Sequence, residues 1–220
     1  MLKNMFKLIS VLFILESFGL AQNLDEIISN YNANISKAKK LISDLEVTQR
    51  ITLETEGMVF EEKAIIYYKD GKRAKKTLEV KGKKMPEKIP EFDWLLGYTI
   101  SQKDYNFSLA GDEKVGEEEC FKIELKPNKE DEKLINGFIW ISKEDYGIVK
   151  LENSPLKNPR MVKKSHIVHI YSKSKEGIRF LQKRIVKSVV NAIVKDVESL
   201  NIFEYTDYKI NTGLKDELFK

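Results

Sequence analysis

The chain has 220 residues, of which 42% are hydrophobic and 33% charged. That is enough apolar material for one domain with a sizeable core, and too much for wholesale disorder. The net charge of +4 is a small difference between 38 basic and 34 acidic residues spread along the chain, with only five arginines and no basic cluster, which argues for a solvated surface and against a nucleic-acid partner.

In chain order, Lys3 and Lys7 precede an apolar run, Leu8–Leu15, and Gly19-Leu20-Ala21 offers small residues at a cleavage site before Gln22. This predicts a signal peptide over residues 1–21, periplasmic export, and a single mature domain over 22–220. The apolar run is shorter than the roughly 20 residues that span a bilayer. Cys120 is the only cysteine, so no internal disulfide can form, and an inert thiol is expected.

Over residues 24–42, Leu24, Ile27, Ile28, Tyr31, Ile35, Ala38, Leu41 and Ile42 recur at helical spacing. They predict an amphipathic helix, with Asn23 as cap and Glu26 as its capping-box partner. The period then changes to two. Leu45, Val47, Ile51 and Leu53 alternate with polar residues over Leu45–Thr55; Met58, Phe60, Ala64, Ile66 and Tyr68 share a face of Met58–Lys69. Asp70-Gly71 predicts a hairpin turn into Lys72–Lys81, a strand cationic enough to discourage edge pairing. Pro86 and Pro90 make Gly82–Glu91 a loop, and Phe92–Leu96 reads as a short helical turn.

Further strands are predicted at Asn106–Ala110 and at Cys120–Lys126, where Phe121, Ile123 and Leu125 oppose Lys122 and Glu124. Phe138–Ile141 and Ile148–Glu152 flank the polar Ser142–Gly147 and predict a hairpin. Past a loop at Asn153–Lys164, the segments Ser165–Ser174, Gly177–Val190, Ala192–Glu198 and Ile202–Ile210 are strand-like, although the Ile and Val residues of 183–198 also fit a helical period. The sum is a mainly β chain: a large antiparallel sheet, apolar on one side, with one long helix to lie on it.

No motif for chemistry stands out. His166 and His169, at i and i+3, would face opposite sides of a strand, which is wrong for joint metal ligation. No phosphate loop, nucleophile elbow or isolated acid in apolar surroundings occurs, so neither an enzyme nor a cofactor is expected. One helix cannot cover the whole apolar face. A filled interior and an interior that holds an apolar ligand both remain open.

The amphipathic helix, the strand Leu45–Thr55, the run C-F-K-I-E-L-K-P from Cys120, the run G-F-I-W-I-S-K-E-D-Y-G-I-V-K-L-E from Gly137 and Y-T-D-Y-K-I at Tyr205–Ile210 together resemble the LolA-like superfamily of outer-membrane lipoprotein-sorting proteins, in its uncharacterised branch. Ser142 stands where that pattern often has Asp. The resemblance implies an incomplete antiparallel β-barrel with helices as a lid over its apolar concave face. It also implies binding of lipid or lipoprotein acyl chains by a single copy. Relatives of the RseB type imply an alternative, a periplasmic sensor that contacts a membrane protein. On the alternation and the resemblance together, the expected ligand-facing residues are Ile28 and Tyr31 from the helix, with Leu53, Met58, Phe60, Ile66, Phe121, Ile123, Trp140, Val149 and Leu151 from the strands.

Overall fold

The computed structural model describes residues 24–82, 90–131, 134–192 and 195–220. The predicted signal peptide, the Asn23 cap and most of the Pro86 loop lie outside these residues.

Helix α1 occupies residues 24–41. The strands follow as β1 (Asp44–Thr55), β2 (Met58–Lys69), β3 (Lys72–Lys81), β4 (Tyr105–Val115), β5 (Glu118–Pro127), β6 (Ile135–Ser142), β7 (Ile148–Pro155), β8 (Val162–Lys173), β9 (Arg179–Ala192) and β10 (Lys195–Ile210); a short helix α2 (Phe92–Leu96) lies between β3 and β4. Among the described residues they form one ten-stranded antiparallel sheet, ordered β3-β2-β1-β10-β9-β8-β7-β6-β5-β4. The sheet does not close, since β3 and β4 are its two edges. This is an incomplete barrel with helices on its concave side.

The alternation seen in the sequence is used for burial. Leu45, Val47, Gln49 and Ile51 of β1 face the core, opposite Tyr68, Ile66, Ala64 and Glu62 of β2. Across the sheet, Ile123, Ile139 and Leu151 continue the same face from β5 through β7. One buried cluster joins these residues to Ile27, Ile28, Tyr31, Ile35 and Ala38 of α1 and to Leu95 and Leu96 of α2. Lys72, Arg73, Lys75, Lys76 and Lys81 line the edge strand β3, where charge disfavours pairing with another chain. The other edge, β4, is interrupted by a bulge between Leu109 and Gly111.

The strand reading of 183–198 holds over residues 183–192 and 195–198, because every residue of this stretch pairs across the sheet and none winds on a neighbouring turn. Two expectations are corrected. β10 is a single strand of 16 residues, and Ser199 and Asn201, polar interruptions in the sequence, sit in register with β1 and β9. Leu41, placed on the buried stripe of the helix, is 51% exposed, because the helix ends there and turns into β1.

Candidate functional site: the concave face and its helical cover

The candidate site is the concave face of the sheet, one part of which is roofed by α1 and α2. Side chains under the roof leave little space. Tyr31, Ile27, Ile66, Leu95, Leu96, Ile123, Leu125 and Ile139 are all less than 2% exposed. The inward apolar residues do not stop where the roof stops. Leu53 of β1, Val186 of β9, Ile135 of β6 and Phe107 and Leu109 of β4 pack against the core and remain partly exposed.

Polar bonds latch the roof. The Tyr31 hydroxyl donates to the Tyr98 carbonyl. Asn32 clasps Ile100 twice, its Nδ2 donating to the carbonyl at 2.6 Å and its Oδ1 accepting the backbone N–H at 2.9 Å. Asn34 Nδ2 donates to the Asp145 carbonyl in the β6–β7 turn at 2.7 Å. Gly97 makes the close approach possible: its φ is +103°, and a Cβ there would meet Ile35, Tyr31 and Ile148 at 3.2–3.3 Å. On α2, the Trp94 carbonyl accepts the Tyr171 hydroxyl at 3.2 Å.

Beneath Trp94 and Tyr98 lie His169 of β8 and Arg184 of β9, cross-strand partners. Arg184 Cζ sits 4.9 Å from the Trp94 ring centroid and 5.1 Å from that of Phe203. His169 packs edge-on against Tyr98 and beside Tyr171. Burial, with the nearby Arg184 cation, pushes the imidazole down to about 3, so it is neutral.

A second buried group closes the other side of the roof. Arg179, 7% exposed, bonds both oxygens of Glu118 at 3.1 and 2.5 Å and both of Asp145 at 3.1–3.2 Å. Burial works to raise the Asp145 carboxyl; the bonds from Arg179, the Gly147 N–H and Lys173 outweigh it and hold the group below the usual carboxylate range.

The residues expected to face a ligand divide. Ile28, Tyr31, Phe60, Ile66, Ile123 and Leu151 are buried on the concave side, and Leu53 and Phe121 are partly buried against the same core. Met58 is 67% exposed, because it faces Thr55 across the Glu56-Gly57 turn, beyond the covered part of the sheet. Trp140 and Val149 belong to a separate cluster with Cys120. A bulge between Trp140 and Ile141 pairs Ile141 with Ile148 and Trp140 with Lys150, so Val149 leaves the inner row. Lys122 and Lys150 lie over the Trp140 ring at 5.0 and 4.3 Å. Burial pushes the Cys120 thiol up to about 11, away from nucleophilic use.

His169 and Arg184 were not in the expected set. His169 does face away from His166, which lies 3.4 Å from Glu152 and is half-buried. Period-two parity alone would have put His169 inward with Tyr171; nothing in the sequence marked it as unpartnered. Among the described residues no group of three His, Cys, Asp or Glu is placed to hold a metal ion.

A family model described as an uncharacterized protein matches residues 98–220. No curated protein matches the sequence. Among solved structures, a DUF1329 family protein from Desulfovibrio piger superposes with a TM-score of 0.50 at 13% identity, over 88% of this chain and 97% of that one. A LolA superfamily protein from Nitrosomonas europaea gives 0.47 at 13% identity, over 86% and 96% of the two chains. A domain from Vibrio parahaemolyticus assigned to outer membrane lipoprotein sorting gives 0.47 at 14%, over 86% and 95%.

Proposed function

The chain belongs to the family of uncharacterized proteins matched over residues 98–220 and shares its fold with a DUF1329 family protein, and from that premise we propose that it is a LolA-like, exported protein that binds the acyl chain of a lipid or lipoprotein on its concave face. One observation carries this reading: the inward apolar rows run past the edge of the helical roof, leaving Leu53, Val186 and Ile135 partly exposed on a concave floor. Such a floor removes an acyl chain from water at about 0.8 kcal/mol per buried methylene. The roofed part would admit more of the chain only as α1 lifts, and its latch of three asparagine and one tyrosine hydrogen bonds to segment 98–100 and the β6–β7 turn is of a strength that ligand contacts can offset. Binding rather than catalysis is part of the proposal, as is a place in lipoprotein sorting.

A different observation favours a second reading. The interior under α1 is filled, with Tyr31 and Ile66 fully buried, as suits a closed module of the RseB type that works by contact with a membrane protein. Gentle purification of the exported protein followed by mass spectrometry of what accompanies it separates the two. Bound lipid is the expected result; a protein that is empty after purification and takes up no acyl ligand when one is added supports the second reading against the first.

A further inference from the structure

Buried polar groups in folded proteins nearly always find a hydrogen-bond partner, so a group of orphans on one surface calls for a cause. The concave face holds such a group. His169 is 3% exposed and neither ring nitrogen has a partner; Asn153 Oδ1, on a side chain 4% exposed, and Arg184 Nε have none either. Register places them together: Leu151 pairs with His169 and His169 with Arg184, while Asn153 pairs with Ile167 and Ile167 with Val186, one step along the same face.

The three groups have complementary chemistry. The Arg184 guanidinium rests over the rings of Trp94 and Phe203, which occupies its face and leaves the N–H donors at its edge. No carboxylate among the described residues lies within ion-pair distance of it, and the buried acid of this face, Glu62, is paired with Lys75. The neutral His169 supplies one N–H donor, and the amide of Asn153 can turn its NH₂ toward a neighbour. An unpaired guanidinium edge beside neutral donors fits a planar or tetrahedral oxyanion, which accepts two or more charge-assisted bonds. Apolar side chains flank it, with Leu53, Ile167 and Val186 all partly exposed.

We infer that Arg184, His169 and Asn153 receive the acidic head, a carboxylate or phosphate, of an amphiphile whose chain lies along the apolar floor beside them. The assignment rests on the acyl-binding reading above and narrows it from any apolar chain to an acidic amphiphile.

The test compares hexadecanoate, hexadecanol and inorganic phosphate by titration calorimetry on the full exported protein. The wild type is expected to bind hexadecanoate at least about tenfold more tightly than hexadecanol, the size of one charge-assisted bond. Arg184→Gln should abolish that preference and leave hexadecanol binding in place; Arg184→Lys, which keeps the charge without the fork, should restore part of it. Millimolar phosphate should fail to displace hexadecanoate. Equal affinity of the wild type for acid and alcohol overturns the anion site and leaves the acyl-binding reading standing. Binding of neither removes both. Displacement by phosphate as effective as by hexadecanoate would show a site for a free anion and overturn the amphiphile.

Discussion

At the scale of single residues, side chains that fill the core differ from side chains that floor an open face. Ile123 is fully buried between β4 and β6. Ile123→Ala should lower unfolding free energy by about 2–5 kcal/mol, because a cavity appears where none existed. Leu53 is already partly solvated; Leu53→Ala should cost about 1 kcal/mol while weakening acyl-probe uptake. Denaturant unfolding with a parallel binding assay measures both. Titratable groups make a second prediction. His169 is held neutral by burial, down to about 3, so the unfolded chain binds more protons than the folded one below pH ~6.5. Its contribution to stability is complete above that pH and is lost as pH falls toward 3. Of the groups that face it, Arg184, Tyr98 and Tyr171, burial raises both tyrosine hydroxyls above their ordinary range, so neither tyrosine titrates in this window. Asp145 and Asp44 act in the same direction lower down. Both carboxyls are held below their ordinary range despite burial that opposes this, Asp44 by the Thr212 and Gly213 N–H groups and the Thr212 hydroxyl. Their stabilisation is present above pH ~4 and disappears as pH drops through their lowered values. Stability should therefore decline from pH 6.5 downward, by at most about 1.4 kcal/mol per pH unit for His169. His169→Phe should flatten the upper part of the decline.

At the scale of elements, the helix stripe and most strands are legible in the sequence, because burial on one side imposes a period on residue types. Ile27, Ile28, Tyr31 and Ile35 all fall under 6% exposure, and each such side chain contributes about 1.5–3 kcal/mol before ordering entropy is subtracted. What holds the helix in place is not legible. Asn32 and Asn34 read as ordinary solvent-facing helix residues, yet their partners lie 68 and 111 positions away. A bulge is equally silent: parity counted along Ile148–Glu152 puts Val149 inside, but Val149 is the extra residue of β7 opposite the Trp140–Ile141 step, and the bulge takes it out of the inner row. His169 and Arg184 could be given a face by parity, but their lack of partners is a property of the assembled sheet. Because Asn32 makes both bonds to Ile100, Asn32→Ala should loosen α1 at a cost of about 1–3 kcal/mol, with faster hydrogen exchange in residues 24–41 and little change in β5–β7. Equal acceleration across the whole sheet would mean that α1 is no separate unit and unfolds only with the rest.

At the scale of the whole molecule, the fold is a ten-stranded open sheet wrapped partly around two helices, with its edges β3 and β4 left unpaired to one another among the described residues. A curved sheet of this kind has one concave surface for a ligand, and the two helices stand over it. The proposed export makes its own prediction: N-terminal sequencing of the mature protein should find Gln22 or a neighbour as its first residue, and a product that retains Leu8–Ala21 and sediments with membranes would count against it. The most direct test of the concave-face site is hydrogen-exchange mass spectrometry of the exported protein with and without a neutral long-chain monoacylglycerol, a ligand that does not depend on the Arg184 site. The expected result is a ligand-dependent change confined to residues 24–41, 92–100 and the inward positions around Leu53 and Val186. A protein whose exchange in all of these segments is identical with and without the ligand, at concentrations where other acyl-binding proteins saturate, would contradict it.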